Sequence, residues 1–410
     1  MPPADTSDFD AGLLTPEYLA NPYPYYAALR AAAPVCWSRR LNAWVLTRYE
    51  DVHRALKDPR LISSQRVSSF ANRLPTHVRS GLEPLFTQFD AWIGNLDPPD
   101  HTRLRRLVNA AFTGRIVEAL RADISQLVGE LLDAAETRDR IDFIRDFAYP
   151  LPAIVIARML GVPPEARHQL IRWSKDLTAY SGTGRADSEI ARAACQAAAA
   201  LSSLFDELAT ERRANPREDL LSQLVQVEDQ GDRLSRQELL GMCGFLMVAG
   251  HETTMALLAN GLFALLRHPV QLQQLREDPR RIPRAVEELL RYDSPIQHQT
   301  RSAAETLEIG GQRIAQGDRV MPFLGAANRD PAQFSNPDQL DLNRDPNPHL
   351  AFGLGPHYCL GAPLARLEAE IGLSALLQRW SKITLVDHQP PFRQHTSQRN
   401  PLRLELQWTT

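Results

Sequence analysis

Hydrophobic residues recur three or four positions apart through the middle of the chain and alternate with a period of two in parts of its last third. Between residues 115 and 216 one helical segment follows another, and one of them carries Leu120, Ile124, Leu127 and Leu131. After Pro295, Gly310-Gly311 and Gln316-Gly317 separate short alternating segments near residues 300–303, 307–309, 312–314 and 319–322. The pattern predicts a mainly α fold with a smaller β region.

The two ends of the chain add further elements. We expect a helix over residues 21–33, a strand pair over 36–46 and a short helix over 50–57. Residues 58–95 show little periodicity and are predicted to form a surface loop. A helix follows from about His101, with Asp100 as its N-cap and Pro99 ending what precedes it. A last strand pair is expected over residues 382–386 and 402–407.

The longest predicted helix covers residues 235–267. Ser235 and Glu238, three residues apart, form a capping-box pattern, and His268-Pro269 closes the far end. At 1.5 Å per residue such a helix is roughly 50 Å long. Residues 239–249 are apolar on every side, so we expect this part to be buried throughout.

An acid and two hydroxyls interrupt this apolar helix in the segment Gly250-His251-Glu252-Thr253-Thr254. Burying such groups is costly unless they bond something, so the segment is a candidate functional site. Thr side chains can bond carbonyls one turn back, and glycine lets a helix open locally, which leaves room for water or dioxygen.

The same segment also matches part of the zinc-protease motif H-E-x-x-H. Met255 stands where the second histidine would be, so one of the two ligands on that helical face is missing and zinc hydrolysis is excluded. For His251, a position facing away from the pocket is a better interpretation than catalysis.

A second candidate site is the Gly-rich segment at residues 351–361, which precedes a predicted helix and contains Cys359. A thiolate is favoured near the positive end of a helix dipole and suits a metal ion. Gly353, Gly355 and Gly361 would let a flat cofactor approach the backbone. For an isolated cysteine, a buried core position would be the alternative.

Two charged pairs have helical spacing. His101 and Arg105 share one helix face and could together bind a carboxylate or phosphate, although a basic helix start is more often a solvated surface. Glu288 and Arg291, three residues apart, are by themselves typical of many surface helices.

Composition excludes several classes of protein. The 410 residues are 43% hydrophobic, and a net charge of -3 gives no bulk attraction to nucleic acid. No composition change marks a boundary, so we expect one domain over residues 1–410. The four cysteines form no C-x-x-C pair, which argues against disulfides and zinc and fits a reducing cytoplasm. We find neither a leader nor a stretch long and uncharged enough to span a membrane, and expect a soluble cytoplasmic monomer.

The order of Phe352, Gly355, Cys359 and Gly361, F-x-x-G-x-x-x-C-x-G, resembles the haem-thiolate loop of the cytochrome P450 monooxygenases. Residues 249–254 resemble the oxygen-binding groove A-G-x-[DE]-T-[TS] of that family, Glu288 and Arg291 its E-x-x-R pair, and His101 and Arg105 its H-x-x-x-R contact to a haem propionate. The four motifs occur in the family's order. The chain is similar to soluble bacterial members, near the macrolide, secondary-metabolite and fatty-acid hydroxylases.

The resemblance implies a triangular prism of helices with haem b, iron protoporphyrin IX, between the long central helix and the helix after the cysteine loop. Cys359 would be the iron ligand, Thr253 the hydroxyl that steadies dioxygen and relays protons, and Glu252 the acid that supplies them. Glu288, Arg291 and Arg344 would form a structural ion-pair group. Expected haem contacts are His101, Arg105, Arg301, His357, Phe352, Gly355, Gly361 and Ala249. Expected substrate contacts are Phe245, Val248, Ala249 and Ile296.

The implied reaction inserts one atom of O2 into an apolar small molecule, by hydroxylation or epoxidation, with electrons from a separate ferredoxin and its reductase. Arg103 and Arg106 would belong to a basic docking face, and residues 166–212 to a mobile helix pair over the pocket. Fatty acids, terpenoids, steroids and macrolides remain open as substrates. The alternatives are a non-catalytic haem sensor or carrier, and a peroxide-using relative, which would need a basic residue in place of the acid and alcohol.

Overall fold

The protein is described by a computed structural model over residues 7–64, 81–183, 188–229 and 232–409. Its internal contacts divide the chain into two compact units. The first unit comprises Met1–Ile62, Arg121–Leu151 and Thr253–Thr410, and the second comprises Ser63–Leu120 and Pro152–Glu252. That residues 1–410 form a single domain stays a prediction.

Helices account for most of the regular structure, which confirms the predicted mainly α class with a smaller β region. The α-helices are α1 (Ser7–Gly12), α2 (Pro16–Ala20), α3 (Tyr23–Ala32), α4 (Tyr49–Ala55), α5 (Glu83–Asp90), α6 (Asp100–Ala111), α7 (Gly114–Ala119), α8 (Arg121–Glu136), α9 (Pro150–Met159), α10 (Pro164–Thr183), α11 (Ser188–Ala214), α12 (Leu220–Gln226), α13 (Arg236–Leu266), α14 (Pro269–Glu277), α15 (Ile282–Tyr292), α16 (Leu324–Ala327) and α17 (Ala362–Arg379). The strands are β1 (Val35–Ser38), β2 (Ala43–Leu46), β3 (Leu61–Ile62), β4 (Ile141–Asp142), β5 (Glu228–Asp229), β6 (Asp232–Arg233), β7 (Arg301–Ala303), β8 (Leu307–Ile309), β9 (Gln312–Ile314), β10 (Arg319–Pro322), β11 (Lys382–Leu385) and β12 (Glu405–Thr409).

Five strands of the first unit form a sheet in the order β1-β2-β10-β7-β3. β1 and β2 pair antiparallel with Cys36 opposite Val45, and β10 joins β2 in parallel and β7 in antiparallel register. Val35, Leu46 and Val320 belong to one buried hydrophobic cluster. The sheet therefore unites the predicted N-terminal strand pair with strands from the last third of the chain.

Two smaller β structures complete the first unit. The hairpin of β8 and β9 turns at Gly310 and Gly311, whose φ angles of 57° and 76° are the left-handed conformation that a two-residue hairpin turn requires. β11 pairs antiparallel with β12, and β12 pairs with β4. β8, β9, β11 and β12 lie within a few residues of the predicted strands, whereas β4 falls in the stretch 115–216 that was predicted to be helical throughout.

The predicted surface loop over residues 58–95 was wrong, because the stretch contains regular structure. β3 lies in this stretch, and so does α5, whose Leu85 and Phe89 are buried four residues apart on one face; residues 65–80 lie outside the described residues. The helical pattern was too short to be separated from loop sequence.

The predicted N-cap of α6 was wrong. The helix begins at Asp100, and Pro99 occupies the cap position without a side-chain hydrogen bond. The backbone N–H of His101 donates to the Asp97 carbonyl and that of Arg103 to the Pro99 carbonyl, each at 3.0 Å. Because carbonyls of the preceding turn already accept these hydrogen bonds, no carboxylate cap is needed.

The long helix α13 begins as predicted. The Ser235 N–H donates to Glu238 Oε2 at 2.8 Å, and the Glu238 N–H donates back to Ser235 Oγ at 3.3 Å. This reciprocal pair is a capping box, and it confirms the predicted start of the helix.

The expectation that no segment is long and apolar enough to span a membrane was wrong. α13 is long and apolar enough to do so, but 78% of its most apolar window is buried inside the structure. The pair of helical segments over residues 144–159 and 164–180 passes the same test together but is bent by 118°. Burial on this scale is what the core helix of a folded domain has.

Candidate active site

The cysteine loop is held by its own backbone. The Cys359 N–H donates to the Phe352 carbonyl at 3.0 Å, and the Tyr358 N–H donates to the Gly355 carbonyl at 3.0 Å. Gly353 and Gly355 have φ angles of 69° and 73°, which other residues adopt only with strain. The loop therefore presents Cys359 three residues before the first turn of α17.

Cys359 differs from the buried cysteines. Cys36 and Cys243 are almost fully buried, and burial raises the pKa of the Cys36 thiol to about 12 and that of Cys243 well above its ordinary value. Both are therefore inert core thiols. Cys359 is partly exposed and lies near a helix N-terminus, where a thiolate is stabilised. This environment suits a metal-ligating thiolate and disfavours the buried-core alternative.

The three glycines of the loop are needed for different structural reasons. A Cβ added to Gly355 would lie 2.8 Å from the Leu56 carbonyl oxygen, so this residue lets the loop pack against the chain's own backbone. A Cβ on Gly353 would meet Gln299 Nε2 at 3.0 Å, whereas one on Gly361 would meet nothing within 4 Å. Of the three, only Gly361 has open space beside it, where a flat group could lie.

One face of α13 is left partly open. Between Leu239 and Leu265 every residue is buried except Phe245, Ala249, Gly250 and Thr253. Phe245, Ala249 and Thr253 are four residues apart and so lie on one side of the helix. The expectation of complete burial over residues 239–249 was therefore wrong on this face. Val248, at 9% exposure, is buried beside the open face.

The acid of α13 is buried beside a histidine. Glu252 is 4% exposed and His251 is fully buried, and Glu252 Oε1 lies 3.8 Å from His251 Nε2. The other ring nitrogen, Nδ1, lies 2.7 Å from the Met247 carbonyl oxygen, to which it donates a hydrogen bond. Thr253 is the next residue of the helix, so an acid and a hydroxyl are adjacent in the chain here.

The expected anion-binding residues lie in separate units. His101, which is 2% exposed, and the partly buried Arg105 lie one turn apart on α6 in the second unit. In the first unit Arg301 is buried in β7, donating to Gln299 Oε1 at 2.7 Å, and His357 lies in the short 3₁₀ turn Gly355–His357 of the cysteine loop.

The arginines expected to dock a partner have acidic neighbours of their own. Arg103 forms ion pairs with Glu238 and with Asp232, the latter at 3.3 Å, and Arg106 lies 3.9 Å from Asp232. Their charges are therefore partly neutralised within the second unit, and they do not form an isolated basic patch.

Glu288, Arg291 and Arg344 meet in a buried ion-pair group. Arg291 donates twice to Glu288, at 2.7 and 2.8 Å, and Arg344 Nε lies 3.2 Å from Glu288 Oε2. Arg291 also donates to the carbonyls of Asn328, Pro337 and Gln339. The group thus attaches α15 to the irregular chain that leads to the cysteine loop. Ile296, partly buried, follows α15 and forms a β-bridge with Gln398.

Sequence reasoning gave no role to two further acids, Glu287 and Glu368. Glu287 is paired with Arg366 at 2.6 Å, and Glu368 lies fully buried in α17, where burial raises its pKa well above the ordinary value. For Glu368 the sequence signal is its position in the helix directly after the cysteine loop, and for Glu287 it is its place beside Glu288.

The sequence profile of the cytochrome P450 family matches residues 34–408. The chain belongs to the cytochrome P450 family. It is 40% identical to the biotin biosynthesis cytochrome P450 of Bacillus subtilis (strain 168) over 381 residues, 92% of this chain and 93% of that protein. With the 6-deoxyerythronolide B hydroxylase of Saccharopolyspora erythraea it shares 41% identity over 367 residues, 88% of this chain and 89% of the hydroxylase.

A solved structure shows the same fold. The crystal structure of P450BioI in complex with hexadec-9Z-enoic acid ligated acyl carrier protein superposes with a TM-score of 0.89 at 38% identity, covering 96% of this chain and 99% of that one. The resemblance to the family and the cytochrome P450 fold are thereby confirmed. This cytochrome P450 is an oxygen-incorporating oxidoreductase that depends on haem b and O2.

The residues of this cytochrome P450 fit the cofactor. A partly exposed thiol, held by its own loop before a helix, is the donor that a haem-thiolate iron needs. On α13 the open face consists of small or apolar residues and one hydroxyl, which would suit a flat apolar ring.

Proposed function

We propose that this cytochrome P450 inserts one oxygen atom into an apolar small molecule, with Cys359 as the thiolate ligand of the haem iron. The observation that carries the proposal is the partly exposed Cys359 on a rigid loop, in a chain whose Cys36 and Cys243 are inert core thiols. When bound, haem supplies the oxidising chemistry, and the protein supplies its binding, orientation and protons.

The haem contacts follow from the character of each side chain. His101, Arg105, Arg301 and His357 carry the donors that suit the two propionate groups. The apolar face of Phe352 and the open backbone beside Gly361 would lie against the haem ring, and Ala249 would face the ring from α13. Gly355 would act through the shape of the loop, since its nearest neighbour is the Leu56 carbonyl.

Proton delivery is proposed for Glu252 and Thr253. Glu252 is buried where a proton cannot be exchanged freely with bulk water, and His251 Nε2 lies 3.8 Å from its carboxylate. Thr253 lies on the open face of α13 and has a hydroxyl that can pass on a proton. An acid and an alcohol in sequence favour this role over that of a sensor or carrier, which has no need of a proton relay.

The substrate is proposed to be apolar. Phe245 and Ala249 on the open face of α13, with Val248 beside it and Ile296 after α15, are apolar side chains. The two curated relatives are named for biotin biosynthesis and for hydroxylation of 6-deoxyerythronolide B, and the solved neighbour holds a fatty acid on an acyl carrier protein. Long acyl chains and macrolide-like rings are therefore the substrate classes to test first.

The overall reaction consumes O2, two protons and two electrons for each oxygen inserted, and the second oxygen atom leaves as water. Neither the substrate nor haem is a net source of those electrons. We propose a ferredoxin with its reductase as the donor. A soluble, monomeric and cytoplasmic state is part of the same proposal, supported by the burial of α13 and by the buried thiols of Cys36 and Cys243, which form no disulfide in the described residues.

Replacing the proposed iron ligand tests this function. Cys359→Ala should abolish the thiolate-type carbon monoxide spectrum of the reduced protein, because alanine offers no sulfur to the iron. Cys195→Ala, at another partly exposed cysteine, is the matched control and should leave the spectrum intact. A thiolate-type spectrum that survives in Cys359→Ala would refute the ligand assignment.

The substrate class is tested by titrating the resting protein with fatty acids, acyl carrier protein conjugates and macrolide aglycones while the haem absorption is recorded. A compound that fills the site and displaces water should shift the iron spin state, because it removes a weak oxygen ligand. Apolar compounds should give saturable shifts at micromolar concentration, corresponding to roughly 8 kcal/mol of binding free energy. If only charged, polar compounds give a saturable shift, the proposal of an apolar substrate is wrong.

A further inference from the structure

A bidentate ion pair joins α15 to α17 close to the cysteine loop. Arg366 Nε donates to Glu287 Oε1 at 2.6 Å, and Arg366 Nη2 donates to Glu287 Oε2 at 2.9 Å. His349 Nε2 lies 3.1 Å from the same Glu287 Oε2. Three segments of the chain, α15, the irregular chain before the loop and α17, therefore meet at one carboxylate.

The hydrogen bonds fix the protonation of this group. His349 Nδ1 accepts from the Ala351 N–H at 3.2 Å, so its proton is on Nε2 and is donated to Glu287. Burial raises the pKa of Glu287, but the hydrogen bonds from Arg366 and His349 outweigh it and lower the pKa to about 2. The ionised Glu287 carboxylate, which His349 also contacts, thus orients the guanidinium.

Arg366 contacts residues near both ends of the cysteine loop. Its guanidinium carbon lies 4.5 Å from the ring centroid of Phe352, and its Nη1 donates to the Tyr358 hydroxyl at 3.3 Å. Phe352 is the residue whose carbonyl accepts from the Cys359 N–H, and Tyr358 directly precedes Cys359. The side chain of Arg366 thus connects the two residues that set the backbone direction at the sulfur.

Glu287 and Glu288 form ion pairs with different residues. Adjacent residues of a helix project about 100° apart, so the two acids cannot hold the same partner. Glu288 binds Arg291 and Arg344 in the interior, whereas Glu287, 31% exposed, binds Arg366 beside the loop. The family's E-x-x-R motif therefore does not account for Glu287.

We infer that Arg366, oriented by Glu287 and His349, is a positioning residue that holds the Cys359 loop in the geometry of a thiolate ligand. The inference rests on the proposed function of Cys359. A planar guanidinium with two hydrogen bonds to one carboxylate has a single orientation, so the Phe352 ring and the Tyr358 hydroxyl are held against it. Without this support the Cys359 amide can turn away from the Phe352 carbonyl, and the loop then holds the sulfur less firmly in the position of an iron ligand.

The test compares Glu287→Gln and Arg366→Lys with Arg284→Gln in the haem-loaded protein. Glutamine removes the charge of the carboxylate, and lysine keeps the positive charge but loses the planar fork over Phe352. Arg284 also lies on α15 and forms an ion pair, 3.2 Å from Asp345, but this pair has no contact to the loop in the described residues. It is therefore the matched control.

The rate at which the thiolate-type carbon monoxide spectrum converts to the thiol type is measured in mild denaturant, with helix content followed in parallel. Glu287→Gln and Arg366→Lys should both convert about tenfold faster than wild type, the factor that about 1.4 kcal/mol produces. Arg284→Gln should convert at the wild-type rate. Equal rates in all variants, or conversion that coincides with the loss of helix, would overturn the inference.

Tyr358→Phe provides a milder variant in case the charge substitutions do not fold. It removes one hydrogen bond at an exposed side chain, and conversion should accelerate by about threefold. If Glu287→Gln does not fold, an unchanged conversion rate in Tyr358→Phe overturns the inference. A wild-type protein without a thiolate-type spectrum would instead refute the iron ligand itself, so the two failures are distinguishable.

Discussion

At the scale of single residues, the environment of each group decides its chemistry more than its identity does. Cys36, Cys243 and Cys359, all among the described residues, have the same thiol side chain. Cys36 and Cys243 are inert because burial raises their pKa values, whereas Cys359 lies partly exposed before a helix. The same holds for adjacent acids. Glu287 and Glu288 both pair with arginines, but only Glu287 contacts the side chain that supports the cysteine loop.

The hydroxyl of Thr253 gives a prediction at this scale. In Thr253→Ala, electrons should still be taken up from the donor, but without the hydroxyl that passes on a proton they should reduce O2 to hydrogen peroxide more often instead of forming product. We expect product formed per electron pair to fall by roughly tenfold, which corresponds to about 1.4 kcal/mol in the competition between the two outcomes.

Thr254→Ala is the matched control for Thr253→Ala. Thr254 is the adjacent hydroxyl but is 3% exposed and lies off the open face of α13, so its removal should leave the coupling of electrons to product unchanged. Peroxide and product are measured together with electron-donor oxidation. Tightly coupled turnover in Thr253→Ala would place the relay at another residue.

At the scale of elements, α13 combines a close packing contact at one end with an open face in its middle. Near its start Gly241 lies against Ala91, which follows α5, and an added Cβ would come within 2.8 Å of the Ala91 carbonyl oxygen. Further along, Gly250 has only the flexible side chain of Ile156 nearby, at 3.3 Å. Only the first glycine is therefore required by backbone packing.

This difference predicts the result of glycine substitutions. Gly241→Ala should destabilise the protein by about 1–3 kcal/mol, because the methyl group overlaps a backbone carbonyl that cannot rotate away. Gly129→Ala in α8 is the control, since an added Cβ there meets nothing within 4 Å and alanine favours a helix; it should stabilise by about 0.5–1 kcal/mol. Urea unfolding of both variants measures the effect, and a Gly241→Ala midpoint at or above wild type would contradict the packing argument.

At the scale of the whole molecule, composition alone is a poor guide to where a segment lies. α13 is as apolar as a membrane-spanning helix, yet most of its apolar window is covered by the chain itself. Charged residues show the converse, since some of them are buried although their charge would predict a surface position. Arg212, Arg291 and Glu288 are almost completely buried, which is tolerated because each of them is paired.

The sequence by itself was enough to predict the mainly α class, the capping box that starts α13, the hairpin at Gly310-Gly311 and the family of the chain. These features depend on residues close together in the chain, where helical or alternating spacing and turn residues act locally. For the same reason the motifs around Cys359, Glu252 and Glu288 could be recognised, since each lies within one loop or one helix.

Only the tertiary structure decided which face of α13 is open, which glycine of the loop packs against Leu56, and that Glu287 and Arg366 meet although 79 positions separate them. Such contacts depend on how distant segments pack, and hydrophobic periodicity gives the buried side of an element without naming its neighbour. The N-cap of α6 was mispredicted for this reason, because carbonyls of the preceding turn accept the hydrogen bonds that Asp100 was expected to take.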